Sequence, residues 1–459
     1  MSRLPTPLVG DGMLVPCIDG LERPYVGFDS AASTGALEQV LSRVEEFVPT
    51  YSSVHRGVGY KSQLSTAAFE AAHEAVLSFA GREGRDDVAV ICRNTTEAIN
   101  HVAYSLGLGP NDMVVTTVIE HHANLLPWFR AAKCRYVECQ ADGTFTTADI
   151  ETQLDRSPKP RLLAVSGASN VTGWVTPIDE IVSAAHRRGI PVLVDAAQLA
   201  PHRPLPREAD FLAWSGHKMY APYGAGVLIG PRDVFTTGGP FLAGGGAVEY
   251  VDLDEVLWKG PPDREEAGSP NVIGTVALHA AMDALTDIGW PEIITHDNIV
   301  GRMLREGLTR IPGVRILGPA LASDTLPVVS FVVENVHYAL VAARLSAECG
   351  IGVRSGCFCS HPYMMRLLGV TADDVARHHT EVRRGDRRRM PGAVRASAGL
   401  NTTEEDVSCL LEAIAKIASG DQPPVEYTQD VKTGEFNPDP DVAPWYANFD
   451  LRCTPSLSR

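Results

Sequence analysis

Strands and helices alternate along the middle of the chain, and this order constrains the fold more than any other feature. β-Rich runs at 161–166 and 191–195 flank a segment, 178–188, in which apolar residues recur with helical spacing. Two strands joined through a helix pair in parallel, because the helix carries the chain back across the face of the sheet. The pattern therefore predicts an α/β protein whose large sheet is mostly parallel and covered by helices.

Two polar segments that follow strands of this sheet contain the residues of one cofactor chemistry. Asp195 ends the apolar run 192–194, and Lys218 closes the segment 211–218. A lysine amine can hold an aldehyde as a Schiff base, and a buried aspartate can keep a pyridinium nitrogen protonated. Ligands of α/β sheets gather beyond the carboxyl ends of strands, so both residues are expected in one site. The pair indicates an enzyme that uses pyridoxal phosphate.

Other residues at strand exits suit the remaining parts of that cofactor. Thr95 and Thr96 follow the apolar run 88–92 and open a helical pattern. The free N–H groups and positive dipole end of such a helix attract a phosphate dianion. Gln198 is spaced to reach the phenolic oxygen of the cofactor, and His121 is expected to stack on its ring. The sequence thus places contacts for the whole cofactor at one edge of the sheet.

These segments, together with others in the same order, resemble class V pyridoxal phosphate enzymes, and within them the Suf-type cysteine desulfurases and selenocysteine lyases. The resemblance implies fold type I of the pyridoxal phosphate transferases, with a large domain built on a mostly parallel sheet and a smaller α/β domain. The matching segments span most of the chain: 28–33, 54–57, 95–97, 120–124, 169–170, 195–198, 215–218, 266–271, 353–359 and 394–397.

The resemblance also implies a role for each matching residue. Lys218 holds the cofactor and moves a proton at the substrate Cα, Cys359 is the nucleophile that takes up sulfur, and His121 is a proton relay. Arg395 suits the substrate carboxylate because a guanidinium fork matches its geometry. The other expected substrate contacts are His55, Asn170 and Arg354. The expected cofactor contacts are Thr95, Thr96, His121, Asp195, Gln198, Ser215, His217, Lys218 and Ser269.

The implied activity is cleavage of the C–S bond of L-cysteine, which yields alanine and an enzyme persulfide on Cys359. The chain departs from the Suf pattern just before this residue, where Cys357 and Phe358 replace two histidines. A class V C–S lyase acting by β-elimination, or an epimerase, needs the same pocket but no enzyme thiol. Such an enzyme, acting on a specialised cysteine derivative or amino acid, is therefore the alternative, since fold and cofactor do not determine reaction type.

The pair of cysteines in this segment suggests further chemistry. Cys357 and Cys359 are able to pass sulfur between them or to close a disulfide. A metal site is not expected, because the Cys-x-Cys-x-His arrangement through His361 has neither the cysteine spacing nor the fourth ligand typical of zinc.

The chain is expected to divide into four parts. An N-terminal arm, 1–45, contributes to the small domain; 46–289 form the large cofactor-binding domain; 290–420 form the small C-terminal domain that carries the Cys359 loop; and 421–459 form an irregular tail. Within 364–391 the chain inserts roughly twenty residues beyond the usual connection of the family, a length more often functional than tight. This insertion is predicted to cover the mouth of the active site, and it contains the basic cluster Arg383, Arg384, Arg387, Arg388 and Arg389.

Charge and cysteine usage restrict the partners and the compartment. The formal net charge is −16 over 459 residues, which argues against a nucleic-acid partner. No apolar run is long enough to span a bilayer. The nine cysteines are spread along the chain, as suits a reducing compartment, and a cytoplasmic location is expected. The expected partners are an amino acid substrate, a second subunit that shares its active site through Ser269, and a sulfur-acceptor protein.

Overall fold

Seven strands form the central sheet of the computed structural model, which describes residues 4–55, 57–321 and 323–439. The strands are β4 (Asp87–Cys92), β5 (Met113–Thr117), β6 (Lys133–Val137), β7 (Leu162–Ser166), β8 (Val192–Asp195), β9 (Phe211–Ser215) and β10 (Gly226–Pro231). Their spatial order is β4-β10-β9-β8-β7-β5-β6. β10 is antiparallel to both neighbours, and the other pairs are parallel. The predicted mostly parallel sheet is confirmed.

Helices cover both faces of this sheet. Alternate residues of a strand point to opposite faces, and in β7 Leu163 and Val165 enter one apolar cluster while Leu162 and Ala164 enter another. The sequences of strands that are buried on both faces are continuous apolar runs. The helices of this part are α1 (Glu38–Phe47), α2 (Tyr60–Phe79), α3 (Thr95–Ser105), α4 (Leu126–Ala131), α5 (Thr147–Leu154), α6 (Ile178–His186) and α7 (Val272–Ile288).

A second sheet, of five strands, is built mainly from the residues that follow α7. Its order is β13-β14-β16-β15-β3, antiparallel except for the pair of β3 and β15. The strands are β3 (Val26–Phe28), β13 (Val314–Leu317), β14 (Val328–Val333), β15 (Ile351–Gly356) and β16 (Ala393–Ser397). Three helices pack on it with a separate apolar cluster: α8 (Trp290–Arg310), α9 (Tyr338–Cys349) and α12 (Glu404–Ala418).

The N-terminal segment contributes to both parts of the molecule. β3 joins the edge of the five-stranded sheet, whereas α1 packs on α7 and buries Val40 and Val44 in the large cluster. A small hairpin precedes β3, formed by β1 (Leu14–Pro16) and β2 (Glu22–Pro24), and another lies before α7, formed by β11 (Val248–Val251) and β12 (Val256–Trp258).

The inserted segment and the C-terminal residues have more regular structure than their sequences suggest. The insertion forms the end of α10 (His361–Leu368) and all of α11 (Ala372–Arg383). After α12 a hairpin forms from β17 (Tyr427–Gln429) and β18 (Phe436–Pro438), where the sequence shows no strand period. Contacts with α9 supply the order that local sequence lacks. The remainder of the predicted irregular tail, 440–459, lies outside the described residues.

Within the described ranges, no single helix is long and apolar enough to cross a membrane; only α7 and α8 together, as a pair bent by 84°, pass such a test of length and composition.

Candidate active site

The carboxyl ends of β4, β7 and β8 face a cavity of about 240 Å³, bounded on its other side by β15 and β16 of the second sheet. The two sheets thus bring together residues from distant parts of the chain. Every predicted site residue except His55 and Ser269 lines this cavity: Thr95, Thr96, His121, Asn170, Asp195, Gln198, Ser215, His217, Lys218, Arg354, Cys359 and Arg395.

Lys218 and Asp195 supply opposite charges to the floor of the cavity. Asp195 is the last residue of β8 and is 5% exposed, and its Oδ1 accepts a hydrogen bond of 3.0 Å from the backbone N–H of Ala197. Burial raises the pKa of Asp195. Burial also lowers the pKa of Lys218 to about 8, although the negative charge of Asp195 opposes this shift. A lysine amine tuned in this way is partly neutral near pH 8 and can act as a nucleophile or base.

The N-terminus of α3 opens into the same cavity. Its N-cap is Asn94, whose Oδ1 accepts a hydrogen bond of 3.0 Å from the N–H of Glu97. Thr95 is buried, and both its N–H and its hydroxyl contact Ser215 Oγ, at 2.8 and 2.7 Å. Thr96 is exposed and lines the cavity. The hydroxyl pair ties the helix end to the segment that carries Lys218, and a helix N-terminus is a place where an anion can bind.

His121 is held as a neutral imidazole with a defined tautomer. Burial, and then the positive charge of Lys218, lower its pKa to about 3. Nδ1 accepts a hydrogen bond of 3.0 Å from the N–H of Ala123, so the hydrogen of the neutral ring resides on Nε2. A flat neutral ring with one N–H suits both the stacking and the proton-relay roles expected of this residue.

Glu120 is a buried acidic residue for which the sequence alone predicts no role. Its oxygens accept hydrogen bonds from Thr117 Oγ1 (2.6 Å), Asn124 Nδ2 (2.7 Å), and both the N–H (3.1 Å) and Oγ (2.5 Å) of Ser166. These contacts join the ends of β5 and β7 to the turn that carries His121. Glu120 therefore positions His121, and its only sequence signal was its place immediately before that histidine.

Asn170 is committed to protein contacts. Its Nδ2 donates to the carbonyl of Phe358 at 2.8 Å, and its Oδ1 accepts from Ser360 Oγ at 3.1 Å. Its own carbonyl accepts from Arg395 Nη1 at 2.9 Å. The guanidinium of Arg395 lies over the ring of Phe358, 5.0 Å from its centroid. Asn170 thus links the Cys359 loop to the arginine predicted to bind substrate, and its own contact with the substrate carboxylate stays a prediction.

The nucleophile candidate sits in a constrained turn. Phe358 and Cys359 have φ values of 53° and 54°, in the left-handed region that side chains other than glycine rarely adopt. The carbonyl of Cys359 accepts a hydrogen bond of 2.8 Å from the N–H of His122, whose ring stacks on His361. Cys359 is exposed and its thiol is free. The turn therefore holds the Cys359 thiol at the cavity while leaving it accessible.

Cys357 occupies a different environment. It is buried, and its Sγ donates a hydrogen bond of 2.9 Å to the carbonyl of Pro391. Burial raises the pKa of this thiol to about 12. Because the thiolate is the reactive form, a buried protonated thiol is a poor nucleophile. In this structure Cys357 anchors the end of the insertion, and the sulfur-passing role considered from the sequence has no support in its surroundings.

Two predicted residues lie away from the cavity. His55 packs edge-on against Phe69 with ring centroids 5.7 Å apart. Ser269 is exposed in the turn before α7. The cavity is also lined by residues with short side chains, for which the sequence predicted no role. Such side chains leave room for a ligand, but no sequence motif marks them as part of a site. They are Ala31, Ala32, Ala123, Ser166, Ala168 and Ala197.

No residue of the insertion 364–391 lines this cavity. Its helices instead enclose a second, apolar cavity of about 400 Å³ that includes His361, Met365, Val375 and Met390. The prediction that the insertion covers the active-site mouth therefore finds no support within this chain. Its arginines are mostly exposed; Arg388 pairs with Asp386 at 2.7 Å.

Comparison with known proteins identifies the family. The profile of the aminotransferase class V family matches residues 26–410. This chain belongs to the aminotransferase class V family. A cysteine desulfurase of Haloferax volcanii is 37% identical over 365 residues, covering 77% of this chain and 84% of that protein. A probable cysteine desulfurase of Halalkalibacterium halodurans is 35% identical and covers 86% of this chain and 93% of its own length.

Solved structures give the same result for this class V protein. The apo structure of a cysteine desulfurase from Thermococcus onnurineus NA1 superposes with a TM-score of 0.76 at 32% identity, covering 86% of this chain and 95% of the other. The Escherichia coli cysteine desulfurase CsdA, solved in an S-sulfonic acid form, has a TM-score of 0.72 at 31% identity with the same coverage. Fold type I is thereby confirmed.

Membership of class V implies pyridoxal phosphate, and the residues of the cavity fit this group. The α3 N-terminus with Thr96, Ser215 and His217 offers donors for a phosphate. Among the described residues, no hydrogen bond ends on the amine of Lys218, so it is free to bind an aldehyde. Asp195, buried with a single backbone donor, is suited to a cationic ring nitrogen because a buried carboxylate needs a counter-charge.

Proposed function

We propose that this class V protein is a pyridoxal phosphate-dependent cysteine desulfurase, which converts L-cysteine to alanine and leaves a persulfide on Cys359. The observation that carries the proposal is that one cavity is lined by Lys218, Asp195, Arg395 and the exposed thiol of Cys359. An enzyme that only eliminates sulfide needs the first three residues, but it has no use for a thiol held at the cavity by a constrained turn.

The cofactor, when bound, supplies an electron sink for negative charge that develops at the substrate Cα. Lys218 would hold its aldehyde, Asp195 its ring nitrogen, and Gln198 its phenolic oxygen. The amide of Gln198 is already oriented by a hydrogen bond of 2.7 Å from its Nε2 to the carbonyl of Ala31. These residues therefore determine where the reacting Cα lies relative to the rest of the cavity.

The protein groups then divide the proton transfers. Lys218, with a pKa lowered to about 8 by burial, can take the Cα proton and return it to the product. Arg395 orients the substrate through its carboxylate. The neutral His121, with its hydrogen on Nε2, can relay a proton without adding positive charge to the site.

Sulfur transfer falls to Cys359. Its thiolate attacks the substrate sulfur; the new S–S bond forms as the Cβ–S bond breaks, and the electron pair of that bond remains with carbon, which is protonated to alanine. The sum is L-cysteine and a thiol giving L-alanine and a persulfide, with atoms and electrons balanced. An acceptor thiol must afterwards remove the outer sulfur.

Three further expectations belong to this proposal. The enzyme acts as a homodimer, in which Ser269 of one subunit reaches the phosphate site of the other; the exposed position of Ser269 suits such a contact. A sulfur-acceptor protein receives the persulfide sulfur. The enzyme works in the cytoplasm, where its eight described cysteines, all free, stay reduced.

Product analysis with L-cysteine tests the proposed reaction. We expect the wild type to form alanine, Cys359→Ala to lose at least about 100-fold of that activity because the nucleophile is absent, and both to retain the cofactor absorbance. Cys357→Ala is the matched control and should keep most of the activity. If Cys359→Ala instead released as much pyruvate and sulfide as the wild type does, the protein would be a lyase.

A further inference from the structure

The guanidinium of Arg395 is buried but only partly satisfied. It is 2% exposed. Nη1 donates to the carbonyl of Asn170 and Nη2 donates to Asp29 Oδ1 at 3.0 Å, while the buried Nε has no hydrogen-bond partner. Nε and Nη2 form one edge of the guanidinium, and such an edge binds a carboxylate through both oxygens. Asp29 occupies half of this edge and leaves the other half vacant.

Asp29 also has a second cation within reach. Its Oδ2 lies 3.8 Å from Nη1 of Arg354, a side chain that is 57% exposed. β15 and β16 pair Arg354 directly with Arg395, so the two guanidinium groups lie on either side of one carboxylate. Asp29 follows β3, at the edge where this strand meets β15. A small rotation of its side chain would exchange one arginine for the other.

We propose that Asp29 is an exchangeable counter-ion, which occupies the carboxylate site of Arg395 in the empty enzyme and moves to Arg354 when a substrate carboxylate arrives. The inference rests on the proposed function, in that Arg395 receives the substrate carboxylate. A buried guanidinium without a counter-charge is costly, so Asp29 stabilises the empty site. Its bond to one nitrogen is weaker than a two-point contact, so a carboxylate ligand that reaches both Nε and Nη2 displaces it.

This arrangement makes Asp29 a positioning residue that sets the affinity of the site for carboxylates. Each ligand must compete with the aspartate and enter beside its negative charge. Removing the charge, as in Asp29→Asn, should leave Arg395 in place through Asn170 and Phe358 but open its edge. Carboxylates should then bind more tightly, and the ligand-free protein should be less stable.

Binding of propionate tests the proposal, because this compound keeps the carboxylate of alanine but has no amine to react with the cofactor. By calorimetry on the holoenzyme, we expect Asp29→Asn to lower the Kd of propionate about fivefold or more relative to wild type, with propionamide binding neither protein. Without ligand, Asp29→Asn should melt at a lower temperature than wild type. Saturating propionate should raise its melting temperature more than that of wild type.

The matched control is Asp155→Asn, which removes the ion pair between Asp155 and Arg188, at 2.6 Å and outside the residues that line the cavity, and should leave propionate binding unchanged. A Kd for Asp29→Asn equal to or higher than that of wild type overturns the proposal and makes Asp29 a structural support of Arg395. Should Asp29→Asn not fold, a crystal structure of wild type with propionate decides: Asp29 bonded to Arg354 supports the exchange, and Asp29 still bonded to Arg395 contradicts it.

These tests separate the inference from the proposed function. Propionate binding requires no turnover, so a protein that binds propionate as expected but forms no alanine from L-cysteine would retain the counter-ion exchange and lose the desulfurase assignment.

Discussion

At the scale of single residues, Glu120 shows how burial couples a site to pH. Its carboxyl group is fully buried and receives donors from β5, β7 and the His121 turn. Burial raises its pKa from 4.5 to about 7, against hydrogen bonds that favour the carboxylate. Between these two values the folded protein holds a proton that the unfolded chain releases. The contribution of Glu120 to the free energy of unfolding therefore decreases as the pH rises from 4.5 to 7.

Replacing this titratable group with an isosteric amide should remove the dependence. We expect Glu120→Gln to lose less stability than wild type between pH 4.5 and 7.5, with a difference of up to about 3 kcal/mol, since one pKa unit corresponds to about 1.4 kcal/mol. Urea denaturation at the two pH values measures it. Glu249→Gln, on the exposed surface, serves as the control. If wild type and Glu120→Gln lost the same free energy of unfolding between the two pH values, Glu120 would titrate at the same pH in the folded and the unfolded state.

At the scale of elements, the turn between β15 and α10 depends on contacts from another part of the chain. The side chain of Asn170 binds this turn on both sides of Cys359, at the carbonyl of Phe358 and the hydroxyl of Ser360. Phe358, the first of these anchor points, and Cys359, which lies between them, both have positive φ. A strained conformation persists only where the surroundings determine it, so Asn170 is expected to hold the nucleophile in place.

Truncation of this side chain should therefore loosen the turn. For Asn170→Ala we expect faster hydrogen–deuterium exchange in peptides covering 357–361 and a fall in kcat of roughly tenfold, because small displacements of a reacting group are costly. The cofactor absorbance should be unchanged. Asn111→Ala, in an exposed turn before β5, is the control. Unchanged exchange in 357–361 would show that the turn holds its own conformation.

At the scale of the whole molecule, the C-terminal segment that contains the β17–β18 hairpin joins the insertion to α9. Arg344 of α9 donates to the carbonyl of Asp421 at 2.8 Å, and Tyr427 donates to Glu348 at 3.1 Å. On the other side, the backbone N–H of Arg387 donates to the carbonyl of Val431 at 2.8 Å. The hairpin thus orders the end of the insertion, whose next residues reach Pro391 and the thiol of Cys357.

Two truncations isolate the hairpin. Ending the chain after Gly420 removes both of its strands, and we expect a lower Tm and faster hydrogen–deuterium exchange in 384–391 because the contacts with Arg387 are lost. Ending the chain after Asp439 keeps the hairpin and is the control. Equal Tm and exchange for the two truncated proteins would assign no stabilising role to the hairpin.

The sequence by itself determined the mostly parallel sheet and most residues of the site. Strand and helix periods are local, and polar residues at strand ends such as Thr95, His121 and Asp195 meet because parallel strands end at one edge. The bounds of β7 and β8 differ from the predicted ones by one residue at most.

Only the tertiary structure decided how these residues are held. Asp29 and Arg395 are 366 residues apart in sequence, and no local pattern reveals that one carboxylate lies between two arginines. The same holds for Asn170, which reaches across 188 residues to Phe358, and for the hairpin after α12, which has no strand period and is ordered by α9. The spacing of apolar residues along the chain shows only how each residue is placed relative to its neighbours in the sequence. The partner of a buried charge or amide depends on which distant segments pack together, and that is a property of the folded molecule alone.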